Sequence, residues 1–213
     1  MIIPSSPILM HYYITYRCNC RCSFCDLWQT TCFTNIPDAK LENIQDNLVN
    51  GKKLGIKFVD FTGGEPLLHN DIHDILTAAK RIGLRTSITT NCLLYPEKSK
   101  EMAGLVDYLH FSLDSILPEQ HNLIRNEDVF DQVVQSIDLA RSIGERPDLL
   151  YTVTNQNIHQ IGFLSEFAKK MGLVLIINPV FLCTCHKNSK ELDSILPSNK
   201  KMDAFFQRFV YTF

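Results

Sequence analysis

Six short runs rich in β-branched and aromatic residues alternate with amphipathic helical patterns along most of this chain. Strands that alternate with helices predict βαβ units and therefore a parallel sheet. Six units in about 170 residues suit a partial (β/α)6 barrel better than an eight-unit barrel, which needs about 250 residues. An open, doubly wound sheet is the alternative. The predicted strands cover residues 8–16, 56–61, 84–89, 106–113, 149–154 and 173–177.

Apolar residues at i, i+3, i+4 and i+7 predict helices between the strands, each with one face against the sheet. Gly83 and Gly172 each stand between a helical pattern and a strand, as expected for a helix C-cap. The core is expected to span residues 1–182, and a short helical extension is expected at 183–213. The stripes are Ile72, Ile75, Leu76 and Ala79; Phe130, Val133, Val134 and Ile137; Ile161, Leu164, Ala168 and Met171; and, in the extension, Met202, Phe205, Phe206 and Phe209.

Composition excludes several classes of function. The formal net charge of −2 gives no broad basic signature for nucleic acid or an anionic membrane. No stretch approaches the roughly 18–20 apolar residues that span a bilayer, and residues 1–10 carry no secretory signal. Eight cysteines without a signal indicate metal binding in a reducing cytoplasm rather than disulfides.

Three of those cysteines, Cys18, Cys22 and Cys25, follow the first predicted strand with the spacing C-x3-C-x2-C. Three thiolates on one loop can hold three irons of a [4Fe–4S] cluster and leave the fourth iron open to a small molecule. Zinc sites also use clustered cysteines, and Cys20 and Cys32 could complete a four-thiolate set. Both interpretations stand on the spacing alone.

Further polar motifs follow the next strands, at the edge where α/β folds bind ligands. Two glycines after the second strand leave the backbone bare, so that a ligand can lie against it. Alternation along the fourth strand places Ser112 and Asp114 on one side. The segments are Thr62-Gly63-Gly64-Glu65-Pro66, Thr89-Thr90-Asn91-Cys92, Phe111-Ser112-Leu113-Asp114 and His121-Asn122-Leu123-Ile124-Arg125-Asn126.

Taken in order, these motifs resemble the radical S-adenosylmethionine (radical SAM) superfamily, in particular its molybdenum-cofactor and SPASM-type peptide-maturase branches. The resemblance covers residues 8–180 and includes the aromatic Phe24 before the third cysteine. It implies the partial barrel of that family, a [4Fe–4S] cluster on Cys18, Cys22 and Cys25, and S-adenosylmethionine (SAM) on the open iron. Cys92 and Asn126 stand where relatives carry glycine.

The resemblance also implies roles for individual residues. The backbone of Gly63, Gly64 and Glu65 would contact the SAM amino group. Ser112 and Asp114 would bind SAM, and Arg125 would pair with its carboxylate. Thr90 and Asn91 would face SAM or the substrate, and Phe24 would belong to the cofactor-binding site. We expect Cys92 to be a buried thiol and His121 to lie on the surface at a helix start, while Asn178 is a weaker candidate.

Three functional hypotheses follow. The first is a radical SAM enzyme that takes one electron from a reduced flavodoxin or ferredoxin and abstracts a hydrogen from a small-molecule or peptide substrate. The second is a zinc-stabilised binding module without SAM chemistry. The third is a cluster-binding subunit that needs a partner chain. The motif Cys183-Thr184-Cys185-His186 could add an auxiliary metal site. A nucleic-acid substrate is disfavoured without a basic patch.

Overall fold

A parallel sheet of six strands forms the centre of the computed structural model, which describes residues 6–29, 35–180 and 194–209. Neighbours in the sheet are also neighbours in the chain, and every pair is parallel. A doubly wound sheet would reverse its strand order at a switch point. The continuous order therefore confirms the predicted partial barrel. The strands are Leu9–Thr15 (β1), Phe58–Gly63 (β2), Arg85–Thr90 (β3), Tyr108–Ser112 (β4), Asp148–Val153 (β5) and Leu175–Pro179 (β6).

Every predicted strand overlaps an observed one, with both ends placed within two residues. The three predicted stripes between strands fall on the helices Ile72–Arg81 (α2), Phe130–Ser142 (α5) and Ile161–Met171 (α6). No helix was predicted from the sequence at Leu41–Lys53 (α1), Tyr95–Met102 (α3) or Pro118–Arg125 (α4). The last two are only eight residues long and begin with proline in the first turn. The helices are Leu41–Lys53 (α1), Ile72–Arg81 (α2), Tyr95–Met102 (α3), Pro118–Arg125 (α4), Phe130–Ser142 (α5), Ile161–Met171 (α6) and Asn199–Phe209 (α7).

Alternation along the strands divides the sheet into two faces. Val59 and Phe61 on β2 and Phe111 on β4 are fully buried in the core against the helices. Asp60 on β2 and His110 on β4 point the other way and line the hollow inner face, which we call the lumen. The lumen therefore carries charged and polar side chains, while the outer face carries the hydrophobic core.

Glycine ends two of the helices as predicted. Gly83 and Gly172 adopt φ angles of 71° and 63°, in the left-handed region that glycine enters without a Cβ clash. Helix α7 lies within the predicted C-terminal extension, but the Phe205, Phe206 and Phe209 side chains are outside what the structure describes. In the described part of the chain, no helix is both long and apolar enough to cross a membrane.

Candidate functional site

One cavity of about 180 Å³ at the carboxyl ends of β1 to β4 brings together nearly all of the predicted site residues. We call it the upper cavity. Of the predicted set, Asp114 does not line it. Because these residues come from five separate segments of sequence, their convergence depends on the parallel sheet and on the helix that carries Arg125. The predicted residues that line the upper cavity are Cys18, Cys22, Phe24, Cys25, Gly63, Gly64, Glu65, Asn91, Ser112 and Arg125.

Backbone hydrogen bonds hold the cysteine loop against the end of α4. The N–H of Arg21 donates to the carbonyl of Arg125 at 3.2 Å, and the N–H of Ser23 donates to the carbonyl of Ile124 at 2.9 Å. The loop is therefore positioned by the protein itself before any ligand is considered.

The cysteine thiols are buried in an environment that disfavours their charge. Burial raises the pKa of Cys18 to about 12, and the nearby Glu65 carboxylate acts in the same direction. Burial also raises the pKa of Cys22, although the Arg125 guanidinium opposes it. Such thiols become thiolates when a metal supplies compensating positive charge. The donor set therefore fits a metal centre.

Two kinds of metal centre use clustered cysteines, a [4Fe–4S] cluster and a single zinc ion. Within residues 6–29, 35–180 and 194–209, no three His, Cys, Asp or Glu side chains converge as ligands of one metal ion. A [4Fe–4S] cluster takes each cysteine on a different iron, so its ligands stand apart. Cys32, which the zinc hypothesis invokes, lies outside the described residues, as do Cys183, Cys185 and His186 of the suggested auxiliary site.

Close backbone packing requires the two glycines at the end of β2. A Cβ at Gly63 would lie 1.8 Å from the carbonyl oxygen of Thr15, and one at Gly64 would lie 2.1 Å from that of Arg17. The N–H of Gly64 donates to Thr15 at 2.9 Å. From the sequence, these glycines were expected to let a ligand lie against the backbone. In the structure, the close packing of this turn against the start of the cysteine loop already requires both glycines.

Glu65 is a buried carboxylate with three protein donors. It accepts hydrogen bonds from the N–H of Leu67 at 3.1 Å, the hydroxyl of Thr90 at 2.8 Å and the N–H of Asn91 at 2.8 Å. Burial nevertheless raises the pKa of Glu65 to about 7. The side chain thus fastens the turn after β2 to the end of β3.

The loop after β3 is joined directly to the cysteine loop. The Asn91 side-chain amide donates to the Asn19 side-chain oxygen at 2.7 Å and accepts from the N–H of Leu93 at 3.0 Å. Cys92 is fully buried, as expected, and its φ of 72° is left-handed. That angle gives a physical reason for glycine at this position in relatives.

Arg125 and Asp114 form a buried ion pair behind the cysteines. A guanidinium nitrogen lies 2.7 Å from an Asp114 carboxylate oxygen. Another lies 3.7 Å from the sulfur of Cys22, and the guanidinium carbon lies 5.5 Å from the ring centre of Phe24. The second Asp114 oxygen accepts from the N–H of Thr152 at 3.0 Å. Asp114 therefore has a guanidinium and a backbone N–H beside it in the protein, although Oδ2, the oxygen of the ion pair, makes no hydrogen bond with any described residue. Its contact with SAM stays a prediction.

One donor at this site has no acceptor. The buried Nε of Arg125 makes no hydrogen bond with any described residue, although Arg125 lines the upper cavity. A buried, unpaired donor on a cation is costly to leave unsatisfied. Because Arg125 also lines the upper cavity, its positive charge fits the anionic end of SAM.

The expectation for His121 was wrong. The ring is fully buried on α4, and its Nδ1 accepts a hydrogen bond from the N–H of Asp114 at 3.1 Å. Burial, with the nearby Arg125 charge acting in the same direction, lowers the pKa of His121 to about 3. The neutral imidazole thus fixes the backbone at Asp114, beneath the ion pair.

Several residues that line the upper cavity were not selected from the sequence. Thr62 on β2 and Thr89 on β3 face it from the lumen side, and Trp28 and Cys20 face it from the cysteine loop. The threonines could have been found by alternation, because each is a polar residue opposite a buried apolar neighbour near a strand end. Asn178 instead lines a second cavity lower in the lumen.

Comparisons with known proteins identify the family of the chain. The sequence profile of the radical SAM superfamily matches residues 12–168. A protein of Sulfolobus acidocaldarius named "Probable GTP 3',8-cyclase" is 34% identical over 166 residues, which are 75% of this chain and 51% of that protein. One of the same name from Methanothermobacter marburgensis is 31% identical over 184 residues, 84% of this chain and 59% of that protein. The chain thus spans about half the length of these curated relatives.

Solved structures share the fold at lower identity. The structure described as "Native anSMEcpe with bound AdoMet" matches with a TM-score of 0.77 and 17% identity over 96% of this chain and 59% of that one. Streptococcus suis SuiB bound to precursor peptide SuiA matches with a TM-score of 0.73 and 20% identity over 83% of this chain and 40% of that one. At these identities the likeness establishes the fold alone.

Proposed function

The chain belongs to the radical SAM superfamily, and on that premise we propose that it is an enzyme that cleaves SAM reductively and abstracts a hydrogen from a bound substrate. Cys18, Cys22 and Cys25 would hold a [4Fe–4S] cluster. The observation that carries the proposal is the upper cavity itself, where these cysteines meet Arg125 and its unpaired Nε.

When bound, the cluster and SAM together supply the one-electron cleavage of the sulfonium and the hydrogen abstraction that follows. The protein's part is positioning. Arg125 would pair with the SAM carboxylate through a charge-assisted hydrogen bond. Backbone carbonyls of the turn at Gly63 and Gly64 would accept from the SAM ammonium. Asp114 acts through Arg125, which it holds in place at 2.7 Å.

The remaining predicted contacts complete the wall of the cavity. Ser112, at the end of β4, would offer its hydroxyl to SAM, and Phe24 would cover one side of the Arg125 guanidinium. Asn91 would face the cofactor beside the cysteine loop, while Glu65 holds the loop after β3 through the N–H of Asn91. These roles are consistent with the way each side chain lines the upper cavity.

For the substrate we propose a purine nucleotide. Two relatives that share 34% and 31% identity with the chain are named "Probable GTP 3',8-cyclase". The peptide-bound neighbour is only 20% identical, so a peptide is the alternative. A reduced flavodoxin or ferredoxin would supply the electron.

Dependence on protein groups outside the matched region is a second proposal that one observation favours. The chain covers 51% and 59% of the two curated relatives. We propose that substrate turnover, as distinct from SAM cleavage, depends on groups equivalent to the part of those relatives that the match does not cover. SAM cleavage without turnover of any nucleotide would support this second proposal.

The test is anaerobic reconstitution with iron and sulfide, reduction with dithionite and measurement of 5′-deoxyadenosine after SAM is added. Wild type should form it, and Cys22→Ala should lose it together with most of the bound iron. Reduced flavodoxin in place of dithionite tests the electron donor.

Cys20→Ala is the matched control, because it removes a buried thiol from the same loop. The cluster proposal expects its iron content to remain close to that of wild type. A zinc site that uses Cys20 would instead lose its metal in this variant. Stable zinc, no iron–sulfur absorbance and no 5′-deoxyadenosine from the wild type would contradict the enzyme proposal.

A further inference from the structure

Two of the cysteine sulfurs in the upper cavity differ in the charge of their hydrogen-bond donors. Sγ of Cys18 accepts from the backbone N–H of Cys20 at 3.4 Å, which is a neutral donor. Sγ of Cys22 accepts from Nη1 of Arg125 at 3.7 Å, which is a cationic donor. Burial raises the pKa of Cys22, and among the nearby charges Arg125, which lowers this pKa, acts more strongly than Asp114, which raises it. Of the charges around the Cys22 sulfur, the guanidinium therefore dominates.

Arg125 is held against Cys22 from several sides. Another of its nitrogens lies 2.7 Å from Oδ2 of Asp114, and its guanidinium carbon lies 5.5 Å from the ring centre of Phe24. The backbone carbonyl of Arg125 accepts from the N–H of Arg21 at 3.2 Å, so the main chain is tied to the same cysteine loop. Arg125 is only 7% exposed, so water screens its charge weakly. The contact with Cys22 therefore belongs to the packed interior.

A cationic donor on a cluster ligand has a defined effect on reduction. The potential of an iron–sulfur cluster depends on its net charge and on the hydrogen bonds to its sulfurs. Reduction moves one electron from the reductant to the cluster, and no bond is formed or broken. A guanidinium that is hydrogen-bonded to a ligand sulfur stabilises the added negative charge, whereas a nearby carboxylate destabilises it. Arg125 should therefore favour reduction, and Asp114 should oppose it.

We infer that Arg125 raises the reduction potential of the cluster through its contact with Sγ of Cys22, and that the charge of Asp114 partly offsets this effect. The inference rests on the proposed function, because it requires a [4Fe–4S] cluster on the three cysteines. The role is separate from the recognition of SAM, since it acts before SAM is bound. A guanidinium carries five N–H groups, so donors remain for the SAM carboxylate after the contacts with Cys22 and Asp114.

The test is a redox titration of the full chain, reconstituted anaerobically and without SAM, followed by the electron paramagnetic resonance signal of the reduced cluster. Arg125→Gln keeps a hydrogen-bond donor but removes the charge. It should lower the equilibrium constant for one-electron reduction at least tenfold, which corresponds to a potential about 59 mV lower. Arg125→Lys retains the charge and should recover part of this loss. Asp114→Asn keeps an oxygen for the guanidinium but removes the negative charge, so it should raise the potential.

Arg21→Gln is the matched control, because it removes the same charge from an exposed side chain of the cysteine loop. The Arg21 guanidinium lies over the ring of Trp28, 5.8 Å from its centre. Solvent and salt screen an exposed charge, so the equilibrium constant should change by less than about threefold.

The double variant Arg125→Gln with Asp114→Asn serves if a single variant does not fold, because it leaves no unpaired charge in the interior. Its potential should still be lower than that of wild type, since Arg125 is the charge in contact with Cys22. Equal shifts in Arg125→Gln and Arg21→Gln would overturn the inference, as would a lower potential in Asp114→Asn. An unchanged potential in cluster-loaded Arg125→Gln would contradict this inference alone. A wild-type chain that binds no cluster would contradict the proposed function, and this inference with it.

Discussion

The two cavities of the lumen differ in how far the protein itself pairs their polar groups. In the upper cavity, Glu65 has three protein donors and the Arg125 guanidinium pairs with Asp114, although Nε of Arg125 is unpaired. Asp60 and His110 line the second cavity, of about 380 Å³ and lower in the lumen, which we call the lower cavity, and each has a buried polar atom without a partner among the described residues. A site that must hold a cofactor in one geometry benefits from side chains that the protein already holds.

The largest effect that we expect comes from adding a side chain to Gly64, whose backbone packs tightly against the cysteine loop beneath the upper cavity. Gly64→Ala would place a Cβ 2.1 Å from the Arg17 carbonyl oxygen, so the backbone of the cysteine loop must move. We expect a loss of about 4 kcal/mol or more in the free energy of unfolding, with loss of bound iron. Chemical denaturation and iron analysis measure both.

Gly144→Ala provides the control for that substitution. Gly144 has a φ of 83° but no atom within 4 Å of an added Cβ. The substitution should lower the free energy of unfolding by about 1 kcal/mol, because alanine is disfavoured in left-handed backbone. Equal losses for the two variants would show that the close approach of Gly64 is unimportant.

The second effect breaks the buried pair of the upper cavity. Asp114→Asn leaves the Arg125 charge buried without its partner and should reduce the free energy of unfolding by about 3 kcal/mol. Asp38→Asn makes the same change at an exposed pair with Arg17 and should reduce it by less than about 1 kcal/mol. Urea unfolding at neutral pH provides the measurement. A small loss for Asp114→Asn would mean that water reaches Arg125.

The third effect concerns pH. The pKa of His121 is lowered to about 3 in the folded protein, so between pH 6.5 and pH 3 the unfolded chain binds the proton and the folded chain does not. Stability should therefore fall as the pH falls through this window, by about 2 kcal/mol at pH 5 relative to pH 7. His121→Asn keeps an acceptor for Asp114 and should lose this part of the pH dependence.

His73→Asn is the control for removing an imidazole, because His73 is exposed on α2. Thermal unfolding followed from pH 7 to pH 5 compares the two variants with wild type. An unchanged slope in His121→Asn would show that His121 does not carry this pH dependence.

The smallest effect sharpens the account of the lower cavity. His11→Ala removes a largely exposed partner of Asp60 and should change the free energy of unfolding by less than about 1 kcal/mol. Urea unfolding at neutral pH provides the measurement. A larger loss would show that the contact with His11 is needed to hold Asp60 in place.

The sequence located the strands and most of the upper cavity because their signals are local. A period of two places Thr62 and Ser112 at the carboxyl end of the lumen, and the cysteine spacing marks the loop after β1. The pairing of Arg125 with Asp114 and the burial of His121 depend on how α4 packs against the sheet. The spacing of residues along the sequence does not predict how α4 packs against the sheet.

The lower cavity could have been found from the sequence but was not. Asp60 stands between Val59 and Phe61, and His110 stands between Leu109 and Phe111. In both cases a polar residue interrupts an apolar strand, on the face opposite the buried core. The site residues were predicted at the ends of strands, where α/β folds usually bind ligands. Polar residues in the middle of strands, such as Asp60 and His110, were therefore not predicted.

The two backbone hydrogen bonds from the cysteine loop to the end of α4 have a consequence for how the protein matures. Because Arg21 and Ser23 are tied to Arg125 and Ile124 by the chain itself, the loop keeps its shape through amide contacts that do not involve iron. Small zinc domains, by contrast, are unfolded until their metal arrives. We therefore expect iron and sulfide to be delivered to a receptor that has already folded, so that newly made chains can persist without metal and become active when iron is supplied.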